Sequence, residues 1–407
     1  MKDPGKKWAT GRALVVLIAS LTMAVSLAAC GGSSESSSST AASEGTGGTS
    51  STASESGGET AAQKRLNQLY EGTYGLPPKT APKPQPGKDI WLISCGQSVA
   101  ACANGIAGAK EASEALGWKT TLYDTKGDPS AMLDGVRSAV AAKAGGIFVY
   151  AIDCSLIKSG LQEAKEAGIP VVGAESADCS DVEKGAPSLF SYVTHYVDNR
   201  TFPEYIREWG AAQAAWDIVE TDEQAKVIVF KETDGFSVLT AVEGAEEELA
   251  KCKTCEIVDT VEFTLGELGP ALQQKASQAL LQHPEANAVE VPYDAVMTSG
   301  VAAALRASGN LSKMRIMGGE GNVANMDMIR EDNGQDAVVG LPLEWEGWAA
   351  IDNLNRIIDG KPTAETGIGL QVVDDEHNMT PSGPFIPQAD GKPIPFAKLY
   401  KKAFAGQ

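Results

Sequence analysis

The sequence predicts an α/β protein made of two doubly wound lobes, each with a parallel sheet, joined by a three-segment hinge. From Lys88 to Ala174, short apolar strands alternate with amphipathic helices, and this alternation indicates parallel strands joined by right-handed crossovers. The same alternation resumes at Ala225, so the chain repeats the architecture. A foldable part of about 320 residues is also too long for one ordinary hydrophobic core.

The first repeat contains four predicted strands and three predicted helices. Pro129 marks a helix start, because its fixed φ suits the first turn. The run from Gly146 to Ala151 is apolar and aromatic, as expected of a strand covered on both faces. The predicted elements are strands Asp89–Ser94, Lys119–Asp124, Gly146–Ala151 and Ile169–Ala174, and helices Ala101–Leu116, one from about Pro129, and Ser155–Ala167.

A long helix, roughly Asn199–Val219, separates the two repeats. The second repeat is predicted to contain strands Ala225–Phe230, Glu256–Glu262, Ala288–Val291, Arg315–Met317 and Val338–Leu341, and helices Val238–Leu249, Leu268–Gln282, Ala295–Ala307, Val323–Arg330 and Trp345–Ile358. The resulting regions are an N-lobe with hinge segments (88–197 plus about 342–373), a C-lobe (198–341) and a C-terminal extension (374–407) without an assigned function. We expect hinge crossings near Tyr196–Asn199, Leu341–Glu344 and Pro362–Thr366.

The N-terminus has the pattern of a secretory leader. Basic residues precede an apolar run from Ala13 to Leu27, which has the length of a signal peptide and is too short for a dedicated membrane span. The run ends in Leu27-Ala28-Ala29-Cys30, which resembles the lipobox of bacterial lipoproteins. The resemblance implies that residues 1–29 are removed, that Cys30 is lipidated, and that the protein is held on the extracytoplasmic face of the cell membrane. The alternative is an ordinary secretory signal followed by an incidental cysteine.

Residues 30–87 are predicted to form a disordered tether. Almost no large apolar residue occurs from Gly31 to Ala62, so this stretch cannot bury enough surface to offset its ordering entropy. Five prolines between Pro77 and Pro86 then stiffen the approach to the first strand. The net charge of the chain is −19, which argues against nucleic acid or anionic lipid as a partner.

The seven cysteines leave an even number once Cys30 is assigned to lipid. In an oxidising compartment the other six are expected to pair by proximity, as Cys95–Cys102, Cys154–Cys179 and Cys252–Cys255. A redox dithiol or half of a zinc site remains an alternative for the last pair, although no second CxxC or pair of histidines accompanies it.

Several segments, in their order and spacing, resemble a known family. They are Gly105–Ala112, Asp124–Pro129, Glu166–Val172, His283–Val289 and Met314–Gly321. Over about Lys88–Leu370 the sequence is similar to type I periplasmic binding proteins of the ribose-binding kind. The resemblance implies a monomeric solute-binding protein without enzymatic activity or cofactor, which closes around a small molecule and delivers it to the permease of an ABC importer. A ligand-sensing module for a membrane kinase or chemoreceptor is the alternative with the same fold.

The ligand site is expected where the carboxyl ends of the strands of both sheets face each other. Acids and amides that accept hydrogen bonds, together with aromatic faces, are the usual means of holding a polyhydroxylated ring. They favour a sugar or polyol, with an aromatic or cationic small molecule as the alternative. The candidate residues at these strand ends are Gln97, Ser98, Asp153, Glu175, Ser176, Phe236, Phe263, Tyr293, Asp294, Glu320 and Trp345.

Some of these candidates have simpler explanations. Asp153 and Glu175 could be solvated loop acids, Phe263 could be core, and one of Trp345 and Trp348 is expected in the core because they lie three residues apart on a helix. Sugar-binding relatives usually carry Asp-Arg where this chain has Glu175-Ser176, so the site keeps its acids and loses an arginine. No catalytic motif occurs, and the three histidines lack metal-ligand spacing. The sequence therefore predicts no metal site and no catalysis.

Overall fold

The N-lobe is built on a parallel sheet of five strands, as its alternating sequence predicts. The computed structural model describes residues 60–407. The sheet has the strand order β2-β1-β3-β4-β5, and every neighbouring pair is parallel. Its elements are β1 (Asp89–Ser94), α2 (Ala100–Ala115), β2 (Lys119–Asp124), α3 (Pro129–Ala141), β3 (Gly146–Tyr150), α4 (Cys154–Glu166), β4 (Val171–Ala174), α5 (Cys179–Val182) and β5 (Tyr192–Val193). Helix α1 (Ala61–Glu71) precedes β1 in the sequence but packs on the C-lobe.

The C-lobe is built on a sheet of six strands in the order β11-β10-β9-β8-β6-β7. Only the edge pair β10–β11 is antiparallel. Its elements are α6 (Phe202–Glu220), β6 (Lys226–Glu232), α7 (Phe236–Leu249), β7 (Glu256–Phe263), α8 (Pro270–Gln282), β8 (Ala288–Glu290), α9 (Asp294–Val296), a π-helical segment (Met297–Val301), α10 (Ala302–Ser308), β9 (Arg315–Gly318), α11 (Val323–Arg330), β10 (Ala337–Gly340) and β11 (Gln371–Asp374). Helix α12 (Leu343–Ile358) lies between β10 and β11 in the sequence but packs on α2, β3 and β4 of the N-lobe.

Local sequence signals account for several helix boundaries. The Asp128 side chain accepts a 2.7 Å hydrogen bond from the Ser130 N–H, which caps α3 ahead of its N-terminal proline. At the start of α6 the Glu204 carboxylate accepts a 2.8 Å bond from the Thr201 N–H and so closes a capping box. Both arrangements satisfy backbone groups that a helix end leaves free. They explain why the predicted starts lie within a few residues of the observed ones.

The predicted helix Ala295–Ala307 is interrupted by the π-helical segment. Gly300, inside this segment, lies against the backbone of α8, since a β-carbon there would be only 2.8 Å from the Gln273 nitrogen. Helical periodicity along the sequence could not reveal this local packing. The prediction was therefore wrong about the continuity of this helix.

Glycines allow α2 and α12 to touch backbone to backbone. A β-carbon on Gly108 would lie 2.1 Å from the Glu344 carbonyl oxygen, and one on Gly347 would lie 2.3 Å from the Gly105 oxygen. Any larger residue at these positions would force the two helices apart. The contact holds the first turn of α12 deep in the N-lobe, beside the end of β3.

The segment before the first strand is folded from residue 60 onward, which corrects the prediction of a disordered tether to residue 87. In α1, Leu66 and Leu69 are buried at 1% and 3% exposure. Arg65 donates to Glu208 at 2.8 Å and also contacts Glu248 on α7. The prediction of disorder rested on the composition of residues 31–62 and on the prolines from 77 to 86, so the amphipathic helix between them was overlooked. This helix gains its stability by packing on the C-lobe. The predicted signal peptide, Cys30 and the first half of the tether lie outside the described residues.

The C-terminal extension also has a defined structure. It forms a short hairpin of β12 (Gln388–Ala389) and β13 (Lys392–Pro393) and a helix α13 (Phe396–Phe404). Tyr400 of α13 is buried and stacks on Trp348 of α12, with ring centroids 5.9 Å apart. The extension therefore begins at the C-lobe edge strand and ends packed on the N-lobe.

Within residues 60–407 the chain passes between the lobes five times. Three passages lie near the predicted hinge segments, around residues 194–201, 341–344 and 359–370. The other two are residues 72–88, which lead from α1 to β1, and the extension after β11. Residues 73–75 run beside the third hinge segment, with a 2.9 Å bond from the Thr73 N–H to the Leu370 carbonyl. The three predicted hinge segments are thus present, and two further passages lie in the segment before β1 and in the C-terminal extension, for which no hinge role was predicted. In the described part of the chain, no helix has the length and apolarity needed to cross a membrane.

Candidate functional site

The N-lobe wall of the cleft is centred on Glu346, in the first turn of α12. This side chain is completely buried. Its Oε2 accepts a 2.8 Å hydrogen bond from the Tyr150 hydroxyl at the end of β3, and its Oε1 accepts a 3.2 Å bond from Tyr196. Gly105 leaves room for the Tyr150 ring, since a β-carbon there would lie 2.2 Å from it. The hinge, β3 and α2 thus jointly fix one carboxylate.

Glu175 joins this group from the end of β4. The Tyr196 hydroxyl also reaches Glu175 Oε1, at 3.5 Å. Glu175 adopts a left-handed backbone conformation with φ of 51°, which costs a non-glycine residue about 1 to 3 kcal/mol. Strain of this kind is concentrated at functional sites, and here it directs the side chain of a strand end into the cleft.

The C-lobe wall carries a second set of acids. Glu320, after β9, accepts a 2.8 Å bond from the Asp294 N–H. Asp294 Oδ2 in turn accepts a 2.6 Å bond from the Asn322 N–H. Nearby, at the end of β6, the Glu232 carboxylate accepts a hydrogen bond from the Tyr293 hydroxyl. Three strand ends of the C-lobe therefore each contribute a carboxyl group.

Two hydrogen bonds join the walls directly. The Asn104 amide on α2 donates to Asn322 Oδ1 at 3.1 Å. The Ser237 hydroxyl on α7 donates to Asp153 Oδ1 at 3.3 Å, and Asp153 also accepts a 2.8 Å bond from the Ala177 N–H. The cleft is thus bounded on two sides by contacts between side chains of opposite lobes.

Desolvation dominates the electrostatics of the N-lobe wall. Burial raises the pKa of Glu346 to about 7, opposed by its hydrogen bonds with Glu175, Tyr150 and Tyr196. Burial, followed by the charge of Glu346, raises the pKa of Glu175 well above its usual range. Two carboxyl groups in contact cannot both ionise at little cost, so burial and mutual repulsion favour one proton shared between Glu175 and Glu346.

The pKa values of the other cleft acids are raised as well. Burial raises the pKa of Asp153 to about 6, opposed by the Ala177 N–H and the Ser237 hydroxyl. It raises that of Glu232 to about 7, opposed by Tyr293. The pKa of Asp294 is raised by burial and then by the charge of Glu320, and that of Glu320 is raised by burial. Several acids with raised pKa values in one cleft are typical of a functional site.

Of the predicted set, the structure places Glu175 on the N-lobe wall, Tyr293, Asp294 and Glu320 on the C-lobe wall, and Asp153 at the contact between lobes through Ser237. Phe236 is partly exposed at the start of α7, beside Ser237, and stays a prediction. In the first loop, Gln97 donates to Ser94 Oγ at 2.7 Å, and Ser98 is exposed. The Ser176 hydroxyl is buried and contacts the backbone at Ile152 and Ala174. Its hydroxyl therefore holds the backbone of the loop after β4, and a contact of Ser176 with the ligand stays a prediction.

Two predicted ligand contacts are corrected because both side chains lie in the core. Phe263 is 1% exposed and packs in the C-lobe core with Phe230 and Leu272. Trp345 is completely buried, with Phe396 of α13 stacked on it at 5.4 Å between ring centroids. Its position near a strand end suggested the cleft, but the C-terminal extension covers it.

The sequence interpretation missed Glu346, Tyr150, Tyr196 and Asn322. Tyr150 looked like an ordinary core strand residue, and Glu346 like one acid on a solvated helix face. A signal for Glu346 does exist, since it stands between Trp345 and Gly347 on the apolar side of its helix. An acid in that setting is paired, or it is functional.

A cavity of about 300 Å³ adjoins the cleft beside Glu320 and Asn322. Its outer wall is formed by the C-terminal extension at Pro384–Pro387 and Phe396. A larger cavity, of about 400 Å³, lies at the C-lobe edge around Trp216, Arg315 and His377, and none of the cleft acids lines it. The smaller cavity is lined from both lobes, since Asn104 belongs to α2 and Asn322 follows β9, whereas the larger cavity is lined from the C-lobe side alone. We therefore locate the site in the cleft together with the smaller cavity.

The cysteines are joined as Cys95–Cys102, Cys154–Cys179 and Cys252–Cys255, with Cα–Cα distances of 5.8, 5.1 and 5.3 Å. Within residues 60–407, the one group of side chains close enough to hold a metal is Cys154, Asp178 and Cys179. The disulfide occupies both of those sulfur atoms, so this group does not fit a metal ion.

Comparison with known proteins agrees with this architecture. The family model of the periplasmic binding protein domain matches residues 102–362. No curated protein sequence matches the chain. Similar solved structures include an ABC sugar transporter subunit from Rhodobacter sphaeroides 2.4.1, at 18% identity and a TM-score of 0.59, covering 72% of this chain and 99% of that one.

Two further structures were solved with bound solutes. A solute-binding protein from Actinobacillus succinogenes 130z with bound D-allose has 17% identity and a TM-score of 0.62, covering 71% of this chain and 98% of that one. One from Bacillus halodurans C-125 with bound myo-inositol has 17% identity and a TM-score of 0.60, covering 71% and 95%. At this identity the similarity shows a shared fold. Since the family match spans more than half of the sequence, the chain belongs to the periplasmic binding protein family of solute-binding proteins.

Proposed function

We propose that this protein captures a sugar or polyol between its two lobes and delivers it to an ABC importer. The observation that carries the proposal is the convergence of Glu346 and Tyr150 from the N-lobe with Glu320 and Asn322 from the C-lobe on one cleft beside the hinge. Carboxylates, amides and hydroxyl groups of this kind form hydrogen bonds with the hydroxyl groups of a sugar. The D-allose and myo-inositol bound to two proteins of the same fold support this class of solute.

Hinge closure supplies the mechanism. A solute that contacts both walls binds only when the lobes are shut, so its binding shifts the population toward the closed form. The Asn104–Asn322 and Ser237–Asp153 bonds link the two lobes, and separation of the lobes would break them. A permease can then distinguish loaded from empty protein by the relative position of the lobes.

The solute can be identified without prior assumptions. Mass spectrometry of small molecules released from the purified protein is followed by a thermal-shift screen of sugars and polyols. A true ligand at 100 times its Kd adds about 2.7 kcal/mol of stability, and it reduces the radius of gyration in small-angle scattering. A screen in which no sugar or polyol raises the melting temperature would contradict the proposal, as would uptake that is unaffected by deletion of the gene.

We also propose that Cys30 anchors the protein to the membrane by lipid. The support is the Leu27–Cys30 motif after a basic and apolar leader. Cys30→Ala is expected to move the protein from the membrane fraction to the soluble fraction, whereas Cys252→Ala, a control at a cysteine outside the motif, leaves it with the membrane. Membrane retention of the Cys30 variant would disprove the anchor.

A further inference from the structure

The cleft acids have no positively charged partner. We use this name for Asp153, Glu175, Glu232, Asp294, Glu320 and Glu346. Within residues 60–407, no lysine, arginine or histidine nitrogen lies within 4.0 Å of any of their carboxylate oxygens. The charged groups that act on them are other carboxylates. Carboxyl groups removed from water are ordinarily paired with a cation or held neutral by a proton, so a bound cation would stabilise their ionised forms.

The acids oppose each other across the lobes. Glu175 and Glu346 belong to the N-lobe wall, and the charge of Glu320 from the C-lobe acts on both. Closing the empty cleft therefore brings these acids together in a poorly solvated space, where they either repel each other more strongly than in water or take up protons. A positive charge placed between the walls reverses this effect and makes closure favourable.

Asp294 gives an independent indication of a missing donor. This residue is 2% exposed. Its Oδ2 accepts from the Asn322 N–H, whereas its buried Oδ1 has no hydrogen-bond partner among the described residues. A buried acceptor without a donor is costly, and this one lies beside Glu320. A donor supplied by a bound molecule would satisfy it.

The remaining cleft groups are neutral and polar. The hydroxyl groups of Tyr150, Tyr196 and Tyr293 each donate to a carboxylate and keep lone pairs that can accept. The amides of Asn104 and Asn322 lie at the lobe junction. Such groups suit hydroxyl groups of a solute. A simple metal ion or an apolar amine would leave them unused.

Building on the proposed function, we propose that the solute is a polyol that carries a positive charge, such as an amino sugar or an aminocyclitol. Its ammonium group is placed among Glu175, Glu320 and Glu346, and its hydroxyl groups face the tyrosines and asparagines. On binding, the ammonium takes the place of the proton that Glu175 and Glu346 share, so that proton is released to solvent.

The test is a matched panel titrated by calorimetry against the full chain in detergent solution. The panel pairs D-glucosamine with D-glucose and N-acetyl-D-glucosamine, D-galactosamine with D-galactose, and an inosamine with myo-inositol; choline serves as a cation without a polyol. We expect at least one amino compound to bind about 10-fold or more tightly than its neutral partners, a difference of about 1.4 kcal/mol.

Glu320→Gln is expected to bring the affinities of the amino and neutral partners to within about 3-fold of each other. The matched control is Glu166→Gln, an exposed acid at the end of α4, which should leave the ratio unchanged. Circular dichroism melting confirms that each variant is folded, and the wild-type panel decides the matter even if Glu320→Gln does not fold.

The outcomes separate the two proposals. A neutral sugar or polyol that binds as tightly as its amino partner overturns the charge assignment and leaves the proposed function intact. Tighter binding of choline than of every amino compound overturns the polyol assignment. Absence of binding by every compound overturns both.

Discussion

The Tyr150 hydroxyl donates a 2.8 Å hydrogen bond to Oε2 of Glu346, linking the end of a central N-lobe strand to the first turn of the helix that follows the hinge. The two residues are 196 positions apart in the chain. Their contact therefore depends on the folded hinge, and it places the carboxylate where a closing C-lobe meets it.

Tyr150→Phe is expected to weaken binding of the tightest member of the sugar panel by about 10-fold, since a hydrogen bond to a charged group contributes about 1.5 kcal/mol or more. Calorimetric titration measures the change. Tyr123→Phe, on β2, removes a hydroxyl that makes no side-chain bond in the described structure and should bind normally. Equal affinities of the two variants would contradict a role for Tyr150 in the cleft.

A buried acid pair outside the cleft predicts a pH dependence of stability. Asp217 of α6 and Glu290 of β8 are almost completely buried. Burial raises the pKa of Glu290 to about 8 and that of Asp217 well above its usual range, with the charge of Glu290 adding to the effect. Because the pKa of Glu290 is higher in the folded than in the unfolded protein, its protonation stabilises the folded state. This contribution is complete below the pKa of the unfolded chain, near 4.3, and is lost as the pH rises to about 8.

Glu290→Gln removes this titration. We expect its melting temperature to rise relative to the wild type as the pH increases from about 5 to about 9. The exposed control Glu256→Gln should show no such trend. A difference between Glu290→Gln and the wild type that is constant with pH would mean that Glu290 does not hold a proton in the folded state.

Disulfide removal should depend on the length of chain that each bond closes. Cys154 and Cys179 are 25 positions apart, and Cys252 and Cys255 are three apart. Chain-entropy arithmetic predicts losses of about 3.5 kcal/mol for the first pair and about 2 kcal/mol for the second. Urea unfolding of the two double Cys→Ala variants measures both values. A larger loss for the short loop would show that local packing, and not chain entropy, dominates.

The C-terminal extension is expected to stabilise a cleft loop. Phe385 is 7% exposed and lies over Gly340, where a β-carbon would meet its ring at 2.5 Å. Its N–H donates to the Gly321 carbonyl at 2.8 Å, next to Glu320. Phe385→Ala should cost about 3 kcal/mol and also weaken solute binding.

Ile386→Ala is the control for this prediction, because Ile386 is the neighbouring apolar residue and is 36% exposed. It should cost well under about 1 kcal/mol. Urea unfolding and calorimetric titration give the two readouts. If Phe385→Ala lowers the free energy of unfolding by less than predicted and binds the solute with normal affinity, the extension does not support the Glu320 loop.

The central strands β3 and β4 were predictable because burial on both faces gives continuous apolar runs, whereas the edge strand β2 is only partly buried and has no such run. β1 and β2 begin and end at the predicted residues, and Val323–Arg330 was also predicted at its observed bounds. The edge strand β11 and helices α1 and α13 were missed. Each is short, and its apolar residues are buried by residues far away in the sequence. Tyr400, for example, packs on Trp348.

Some of the cleft residues were predictable because they follow strands. Asp153, Glu175 and Glu320 follow strands, and the position of a strand end is a topological property that the sequence pattern carries. Glu346 lies in a helix, and its burial depends on the backbone contact of Gly108 with α12. Phe263 and Trp345 also lie near strand ends, but the direction of a side chain at such a point depends on neighbours that the pattern does not specify.

The attachment of α1 has a mechanical consequence. This helix packs on α6 and α7 through Leu66 and Arg65, both on the C-lobe side, although the next strand, β1, belongs to the N-lobe. A pull on the chain ahead of Thr60 is therefore borne by the C-lobe. If the protein is anchored through its N-terminal segment, the C-lobe is the stationary half. Opening the cleft then rotates the N-lobe relative to a fixed C-lobe.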